Sequence, residues 1–326
     1  MRALLTGGAG FIGSHVLDLL LTEGGWQVVA LDNFDPFYDP MVKRRNLAAY
    51  RWNEHLEFIE CDITDPHLIG RLKDHQPFDV VVHLAAKAGV RGSLAEPAAY
   101  HRTNILGTQV LLDVARDLGI PTFVYASSSS VYGVNTDVPW CEDATLEPIS
   151  PYACSKAAGE LLAHASSHLY GIRCIVLRLF TVFGPRQRPD LAIHHFARRI
   201  LNGQPIQVFG DGTSLRDYTY VADIVAGIRS AMSYRHSLYE VFNLGAGRPV
   251  QLNALVAELA RALDHEVKVE YTGEQAGDVP LTYSSIEKSR RLLGYQPRVS
   301  LSEGLAHFVD WFRETEMSGL PVPIRR

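Results

Sequence analysis

Short hydrophobic runs alternate with amphipathic stretches through the first 180 residues of the chain. β-Branched and aliphatic residues predict strands at 3–5, 26–31, 56–60, 79–83, 122–126 and 174–179. Helical spacing of apolar residues predicts helices between them, at 11–21 and near 65–75, 99–118 and 152–170. This alternation is typical of an α/β fold, in which a doubly wound parallel sheet is covered by helices on both faces. The ligand crevice of such a sheet lies at the carboxyl ends of its strands.

The pattern changes after about residue 180, where Gly and Pro residues separate shorter elements. Amphipathic helices are predicted at 251–263 and 301–312, and the segment 240–245 is expected to return to the sheet as an extra strand. We therefore expect a sheet domain over residues 1–180, and over residues 181–326 mainly a smaller substrate-binding lobe at the carboxyl edge of the sheet.

Charge and composition exclude several classes of partner. The 326 residues carry a net charge of −5 and no long basic run, so we expect no nucleic-acid partner. The apolar runs fall far short of the roughly 18 residues that suggest a membrane span, so we expect no membrane segment. The chain starts directly with a strand and shows no charged and apolar leader, so the cytoplasm is the expected location.

Cysteine and histidine spacing gives no indication of a disulfide framework or a metal site. None of the four cysteines, at positions 61, 141, 154 and 174, is part of a CxxC pair, and reduced thiols are expected. The pair His194–His195 has no acidic or cysteine partner at ligand spacing, so no metal is expected there.

A glycine-rich turn follows the first predicted strand and precedes the first predicted helix. Gly7 suits a tight turn, Gly10 allows close approach of a pyrophosphate, and Gly13 allows the helix to pack on the strand. The helix N-terminus then offers free N–H groups to the phosphates. Asp32 ends the second strand, where a carboxylate accepts hydrogen bonds from ribose hydroxyls and repels a 2′-phosphate. The sequence therefore predicts a Rossmann-type site that prefers NAD to NADP.

Tyr152 and Lys156 lie four residues apart at the start of a predicted helix, so both side chains occupy one helical face. A lysine ammonium beside a phenol favours the phenolate and lowers the pKa of the tyrosine, which can then act as a base. The segment YASSSSVYG (125–133) follows the predicted fifth strand, so its hydroxyl groups emerge at the carboxyl edge beside the cofactor. A surface helix pair and a polar strand-exit loop are the alternative interpretations.

The segments TGGAGFIGSH, HLAA, YASSSSVYG, SPYACSK and RDYTYVADI together resemble the extended short-chain dehydrogenase/reductase superfamily, within it the NAD-dependent nucleotide-sugar epimerases and dehydratases. The resemblance covers nearly the whole chain. A finer resemblance, to UDP-glucuronate 4-epimerases, is carried by LDNFDPFYDPMVKRRNL, AKAGVRGSLAEP, LFTVFGPRQRPDLAIHHF and EQAGDVPLTYSS. The superfamily resemblance implies that Ser128, Tyr152 and Lys156 are the catalytic residues.

The same resemblance indicates which residues bind NAD and a UDP-sugar. The expected cofactor-binding residues are Gly7, Gly10, Phe11, Ile12, Gly13, Asp32, Asn33, Lys43, Asp62, Ile63, Leu84, Ala85, Ala86, Lys87, Asn104, Tyr152, Lys156 and Val182. The expected substrate-binding residues are Arg91, Ser93, Ser128, Ser129, Ser130, Thr181, Arg188, Ile193, Val208, Phe209, Arg216, Gln275 and Asp278. Arg216 matches a diphosphate-binding arginine and Asp278 a ribose-binding acid, whereas Gln275 stands where galactose-type enzymes carry a second arginine.

Departures from related enzymes narrow the expected substrate. Related dehydratases carry Asp-Glu directly after the catalytic Thr, and decarboxylases carry a Glu at the second of these positions, where Ser129 and Ser130 stand here. Galactose-type epimerases usually carry Asn in place of Thr181, which favours a carboxylate-bearing sugar in this chain. The neighbouring hydroxyls and Arg188 could bind that carboxylate. A simple strand-end role for Thr181 is the alternative.

We therefore expect an NAD-dependent isomerase that converts UDP-glucuronate to UDP-galacturonate through a 4-keto intermediate, with Tyr152 taking the proton from the hydroxyl on carbon 4. The alternatives are a UDP-glucose/UDP-galactose 4-epimerase, a UDP-sugar decarboxylase or dehydratase, and a non-catalytic NAD-binding regulator, which would tend to lose the Tyr or Lys. The resemblance also implies a homodimer formed through the helices near 99–118 and 152–170.

Overall fold

The computed structural model describes residues 1–273 and 277–317 of the chain. The strands in these residues are β1 (Arg2–Thr6), β2 (Gln27–Asp32), β3 (Leu56–Glu60), β4 (Val80–His83), β5 (Thr122–Ser128), β6 (Arg173–Leu179), β7 (Thr181–Phe183), β8 (Ile206–Phe209), β9 (Leu215–Tyr220), β10 (Tyr239–Leu244), β11 (Pro249–Gln251) and β12 (Val269–Thr272). The α-helices are α1 (Phe11–Glu23), α2 (Pro40–Ala48), α3 (Leu68–Leu72), α4 (Val90–Ala95), α5 (Pro97–His101), α6 (Gly107–Asp117), α7 (Pro151–Tyr170), α8 (Ala192–Leu201), α9 (Val221–Met232), α10 (Leu252–Leu263), α11 (Glu287–Leu293) and α12 (Leu301–Phe312). Short 3₁₀ turns cover Lys73–His75 and Ser129–Tyr132, and π-helical turns cover Arg102–Leu106 and Arg313–Met317.

Seven strands form one sheet in the order β10-β6-β5-β4-β1-β2-β3, and every pair is parallel. The predicted doubly wound α/β fold is therefore confirmed. The chain returns to this sheet through β10, whose Tyr239 lies opposite Cys174 and whose Leu244 lies opposite Leu179. The strand order reverses between β1 and β4, so a crevice is expected at the carboxyl ends of these two strands.

Two hydrophobic cores lie on the opposite faces of this sheet, because successive strand residues point to opposite sides. Leu5 belongs to the core that α1 and α9 cover, and the adjacent Leu4 belongs to the core that α6 and α7 cover. Both leucines have no exposed surface. Burial of one such side chain stabilises the fold by roughly 1.5–3 kcal/mol, so the layers are held mainly by apolar contact.

The C-terminal part of the chain builds a smaller lobe around a third core. Its strands form a three-stranded sheet, β11-β9-β7, and a two-stranded sheet, β12-β8. Buried residues of α8, α10 and α12, among them Ile193, Leu259 and Phe308, pack in this core. The division of the chain into two domains at residue 180 stays a prediction.

Two predicted helices differ from the observed ones. The helix predicted near 99–118 is divided by the π-helical turn, where Asn104 Oδ1 accepts a hydrogen bond of 2.9 Å from Lys87 N. The helix predicted near 65–75 is reduced to α3 and a 3₁₀ turn. Helices α8 and α9 were not predicted, because Gly and Pro turns separate them from short strands and hide their periodicity.

Helix α7 has strong local determinants at both ends. Ser150 Oγ accepts a hydrogen bond of 3.2 Å from Ala153 N, and Pro151 occupies the first turn, where its missing N–H costs nothing. Gly171 ends the helix in the left-handed conformation, with φ of 69°. Between these ends, Gly159 lies against the ring of Tyr125 on β5, so the helix backbone approaches the sheet closely.

We predict that Gly159→Ala destabilises the protein by about 1–3 kcal/mol. A Cβ at this position would overlap the phenol oxygen of Tyr125 and lie 2.5 Å from its Cζ atom. Gly70→Ala is the matched control, because Gly70 is also helical and a Cβ there meets no atom within 4 Å. Urea denaturation of both variants measures the difference, and equal stability of the two would contradict the close packing of α7 on β5.

Candidate active site

A cavity of about 350 Å³ opens at the carboxyl ends of β1, β2, β4, β5 and β6. Most of the residues expected to bind the cofactor or to act in catalysis line it. These are Gly7, Gly10, Phe11, Ile12, Gly13, Asp32, Asn33, Lys43, Ile63, Leu84, Ala85, Ala86, Lys87, Ser128, Tyr152, Lys156 and Val182. Thr181 and Arg188, expected at the substrate, line the same cavity. The structure therefore brings together residues that are up to about 180 positions apart in sequence.

The glycine-rich turn forms one wall of the cavity. Gly7 has a φ of 73°, and a Cβ there would lie 2.8 Å from the backbone nitrogen of Ala85. A side chain at Gly13 would overlap the carbonyl oxygen of Gly7, so α1 begins directly against the turn. This close packing leaves the backbone of the turn bare toward the cavity, as binding of a pyrophosphate requires.

Asp32 is fixed at the end of β2. Its carboxylate accepts hydrogen bonds from Ala9 N at 3.2 Å and from Phe34 N at 2.9 Å. Lys43 Nζ lies 3.6 Å from the same carboxylate and offsets the cost of burying its charge. The carboxylate, the bare turn and the apolar side chain of Ile63 fit the ribose, the pyrophosphate and the adenine of a dinucleotide.

Two expected cofactor-binding residues, Asp62 and Asn104, do not line the cavity but position residues that do. Asp62 Oδ2 accepts a hydrogen bond of 2.8 Å from Asn33 Nδ2. Asn104 bonds both the N–H and the carbonyl of Lys87 at 2.9 Å, and it also donates to Ser155 Oγ at 2.9 Å. The loop after β4 is thereby tied to α7.

The three expected catalytic residues meet at the junction of β5 and α7. Tyr152 and Lys156 lie on the first two turns of α7, and Ser128 is the last residue of β5. Ser128 acts on the phenol of Tyr152, whose pKa its hydroxyl lowers. Lys156 Nζ donates a hydrogen bond of 2.7 Å to the carbonyl oxygen of Ala126, which ties α7 to the end of the strand.

The pKa of Tyr152 differs in direction from the sequence-based expectation. Burial raises the pKa of the phenol above its ordinary value, while the hydrogen bond from Ser128 and the charge of Arg188 lower it. The net shift is upward, because the cost of a buried phenolate outweighs both effects. Burial also lowers the pKa of Lys156 to about 7, against the carboxylate of Glu160, which raises it.

The cavity wall carries the guanidinium of Arg188, which is paired with a carboxylate. Arg188 donates to the carboxylate of Asp190 through Nε at 3.0 Å and through Nη2 at 2.7 Å. Nη2 also lies 3.4 Å from the carbonyl oxygen of Ala88. The pKa of Arg188 is raised by this pairing, so the guanidinium stays charged inside the cavity.

Ser129 and Ser130, which were expected to contact the substrate, begin the 3₁₀ turn just outside the cavity lining. Ser130 Oγ accepts a hydrogen bond of 3.0 Å from Ser128 Oγ, and Ser129 is buried. Ser130 thus contacts Ser128 and does not itself line the cavity.

The other expected substrate residues lie away from this cavity. Arg91 on α4 stacks on the ring of Phe209 at 4.5 Å, and its Nη2 lies 3.8 Å from a carboxylate oxygen of Asp278. Arg216 donates to the carbonyl oxygen of Leu215 at 2.9 Å. The contacts of Arg91 join α4 to the C-terminal lobe.

Three expected substrate residues are placed in the protein interior, and one lies outside the described residues. Ser93 is fully buried and donates a hydrogen bond of 2.6 Å to the carbonyl oxygen of Val90. Ile193 on α8 and Val208 on β8 are buried in the third core, where their apolar side chains pack. Gln275 lies in the segment 274–276, outside the described residues.

Several cavity residues were missed by the sequence analysis. They are Asp35, Phe37, Tyr38, Cys61, Ala88, Gly89, Tyr100, Thr103, Ala126, Ser127, Leu179, Phe180 and Leu191. The first three follow β2 directly, so their place at the carboxyl edge of the sheet could have identified them. Lys87 Nζ lies 3.3 Å from a carboxylate oxygen of Asp35, so an ion pair links the loop after β4 to the loop after β2.

Within residues 1–273 and 277–317, no group of three or more His, Cys, Asp and Glu side chains is arranged to hold a metal ion. No helix of the same residues combines the length and the apolar character needed to cross a membrane.

Comparisons with known proteins agree with this geometry. The sequence model of the NAD dependent epimerase/dehydratase family matches residues 3–245. A UDP-glucuronate 4-epimerase of Thermodesulfobacterium geofontis is 40% identical over 95% of this chain and 96% of its own length. The crystal structure of a UDP-glucuronic acid 4-epimerase from Bacillus cereus, in complex with UDP-glucuronic acid and NAD, has a TM-score of 0.91 at 35% identity, covering 96% of this chain and 99% of that one. A UDP-glucose 4-epimerase of Thermotoga maritima with UDP-glucose has a TM-score of 0.89 at 37% identity, covering 97% and 100%.

We predict that Ser128→Ala raises the pKa of the Tyr152 phenol further. The serine hydroxyl favours the ionised form of the phenol, so its removal leaves the effect of burial on the pKa less opposed. The pKa can be measured by NMR titration of protein labelled with ¹³C in the tyrosine ring. Ser129→Ala is the control, because it removes a hydroxyl from the next residue, which has no effect on the pKa of Tyr152. A phenol that titrates at the same pH in Ser128→Ala and in the unsubstituted protein would rule out the hydrogen bond.

Proposed function

Because the chain belongs to the NAD dependent epimerase/dehydratase family, we propose that it catalyses the 4-epimerisation of UDP-glucuronate to UDP-galacturonate with tightly bound NAD. The observation that carries this proposal is one cavity that combines the Ser128–Tyr152–Lys156 group with the charged Arg188. The first group suits proton transfer at a sugar hydroxyl, and the guanidinium suits a sugar carboxylate. The similarity to UDP-glucuronate 4-epimerases over almost the full chain supports the same substrate.

The residues of the cavity fit NAD. Asp32 would hold the adenine ribose, and the backbone of the turn from Gly7 to Gly13 would hold the pyrophosphate. Bound there, NAD supplies a hydride acceptor that returns the hydride later, so no external oxidant is consumed. The ion pair between Lys87 and Asp35 links two loops that line the cavity, which would support tight retention.

Tyr152 is proposed to take the proton from the hydroxyl on carbon 4 and to return it when the reaction is complete. Its phenol must ionise for this step, and both Ser128 and Arg188 oppose the effect of burial on its pKa. Ser128 can share the proton, because its hydroxyl favours the ionised form of the phenol. The ammonium of Lys156 adds positive charge at the base of the cavity.

The carboxylate of a uronic acid is proposed to lie at Thr181 and Arg188. A carboxylate that leaves water needs hydrogen-bond donors, and this part of the cavity provides a hydroxyl and a guanidinium. A carboxylate held still is less able to leave as carbon dioxide from a 4-keto intermediate. Ser129 and Ser130 provide no acid for elimination, which argues against a dehydratase or a decarboxylase.

The nucleotide is proposed to lie between the loop after β4 and the C-terminal lobe. Arg216 would bind the diphosphate, and Phe209 would flank the uracil. Asp278 would accept hydrogen bonds from the ribose. The present contacts of Arg91 with Phe209 and Asp278 support this location, because they show that both sides of the proposed site are adjacent.

A UDP-glucose 4-epimerase is the second candidate. It is supported by the similarity to the Thermotoga maritima enzyme, whose identity and coverage match those of the UDP-glucuronic acid enzyme. The two candidates differ in one respect, the need for a cation at carbon 6 of the sugar, so one substrate comparison separates them.

We predict that the purified protein interconverts UDP-glucuronate and UDP-galacturonate faster than UDP-glucose and UDP-galactose. Proton NMR at carbon 4 measures both reactions, and mass spectrometry should find no change of substrate mass. Tyr152→Phe is the control, since it should retain NAD and lose turnover by at least ~100-fold, as removal of a general base does. Turnover of the neutral sugar alone would favour the second candidate, and loss of carbon dioxide or water would contradict epimerisation.

A homodimer formed through α6 and α7 is also proposed. Three apolar side chains of α7 are exposed, Leu161 at 72%, Leu169 at 66% and Tyr170 at 49% of their surface. Helix α7 packs beside α6 and presents these side chains outward. Large apolar side chains that stay exposed on neighbouring helices are typical of a protein–protein interface.

We also propose a cytoplasmic location. The four cysteines are all free, and Cys141 and Cys154 are exposed. Unpaired exposed thiols are usual where glutathione keeps cysteines reduced.

We predict that Leu161→Asp converts the dimer to a monomer, because a charge on this face would have to be buried at the interface. Trp52→Asp is the control, since Trp52 is also exposed, at 85%, and precedes β3 at the far edge of the sheet. Sedimentation velocity measures the mass of both variants. A monomeric unsubstituted protein, or a dimeric Leu161→Asp variant, would refute this interface.

A further inference from the structure

A buried ion pair lies directly behind the catalytic residues. Glu160 on α7 and Arg178 on β6 form two hydrogen bonds, Nη2 to Oε2 at 2.8 Å and Nε to Oε1 at 3.0 Å. Each side chain has only 5% of its surface exposed. A buried ion pair is weak evidence for stability, because the cost of desolvation can exceed the attraction. Its place in this fold therefore calls for another explanation.

The Glu160 carboxylate contacts the catalytic end of β5. Ser127 Oγ donates a hydrogen bond of 2.5 Å to Glu160 Oε1. Ser127 lies opposite Arg178 in the register of β5 and β6, so strand pairing brings the serine and the guanidinium to the same carboxylate. The residue after Ser127 is the catalytic Ser128, so the carboxylate fixes the backbone from which that hydroxyl projects.

Glu160 also lies one helical turn after Lys156, on the same face of α7. Lys156 binds the carbonyl of Ala126, and Glu160 binds the hydroxyl of Ser127, so two consecutive residues of β5 are held from one helix. Arg178 is fixed in turn by Tyr132, whose hydroxyl accepts from Nη1 at 2.9 Å. All members of this cluster are buried.

We propose that Glu160 is a positioning residue for the reaction: held by Arg178, its carboxylate fixes the end of β5 through Ser127 and keeps the charge on the Lys156 ammonium. The catalytic part of this inference rests on the proposed function. The groups that face Lys156 are Glu160 on its own helix, Tyr125 on β5, whose ring lies 5.1 Å from Nζ, and the neutral His83 on β4. Of these, only the carboxylate carries a charge that favours the ammonium.

The sign of the electrostatic effect follows from these contacts. Burial lowers the pKa of Lys156 to about 7, and the Glu160 carboxylate opposes that shift. Removal of the carboxylate lowers the pKa of Lys156 further, so the ammonium is lost at a lower pH. The alkaline limb of the pH profile of kcat should move to lower pH, whereas a purely structural role would change only the fraction of folded protein.

Glu160→Gln in the holoenzyme tests the proposal, with NAD content and thermal unfolding measured first. NMR titration of ¹³Cε-labelled lysine gives the pKa of Lys156, and turnover of UDP-glucuronate gives kcat and KM over pH. We expect a lower pKa of Lys156, a kcat reduced by ~10- to 100-fold and a nearly unchanged KM. An unchanged pKa of Lys156 together with an unchanged kcat profile in folded enzyme would overturn the proposal.

Three further variants make the test specific. Ser127→Ala should lower kcat without shifting the alkaline limb, because it removes the hydrogen bond and keeps the charge. Glu258→Gln breaks an ion pair with Arg261 on α10, and is expected to leave the pKa of Lys156 and kcat unchanged. If Glu160→Gln does not fold, the Glu160→Gln/Arg178→Gln variant removes both buried charges, and the same titration decides.

The two readouts also separate this inference from the proposed function. If the unsubstituted enzyme turns over neither UDP-sugar pair but Glu160→Gln still lowers the pKa of Lys156, the proposed function fails and the action of Glu160 on Lys156 stands. If turnover is present and neither the pKa of Lys156 nor the kcat profile responds to Glu160→Gln, the positioning role fails and the proposed function stands.

Discussion

The fold depends on the close packing of α7 against the end of β5. Lys156 bonds the carbonyl of Ala126, Glu160 bonds the hydroxyl of Ser127, and Gly159 lets the helix approach the ring of Tyr125. Each contact joins a residue of the helix to a residue of the strand that precedes Ser128 or lies beside it. Tyr152, the proposed base, and Ser128, its proposed proton partner, therefore lie on α7 and β5. The distance between these two elements is fixed by the packing of the core.

This packing places groups of opposing electrostatic effect around one phenol. Burial makes ionisation of Tyr152 costly, while Ser128 and Arg188 reduce that cost. Lys156 is subject to the same conflict, since burial disfavours its charge and Glu160 favours it. Protonation at this site is set by a balance of nearby buried groups rather than by the tyrosine and lysine alone.

The strands of the sheet and helix α7 could be predicted from the sequence, because their determinants are local. A glycine-rich turn after a strand and a capped YxxxK helix are each defined by residues a few positions apart, so they can be recognised without knowledge of the tertiary structure. The direction of single side chains was not predictable in the same way. Ser93 and Ile193 have residue types that suit a pocket, yet short helices turn them into the interior. The network of Glu160 needs the register of two strands, which no local pattern contains.

The pairing of Arg188 with Asp190 has a consequence for selectivity. The guanidinium already holds an anion of the protein itself, through two hydrogen bonds. An acidic sugar must therefore share or displace this internal anion, and it gains only the difference between two carboxylate contacts. When a neutral sugar enters the cavity, the Arg188 guanidinium therefore remains paired with Asp190. The difference in binding free energy between acidic and neutral sugars is therefore small on such a scaffold. A small change in the strength of the Arg188–Asp190 pair would alter it.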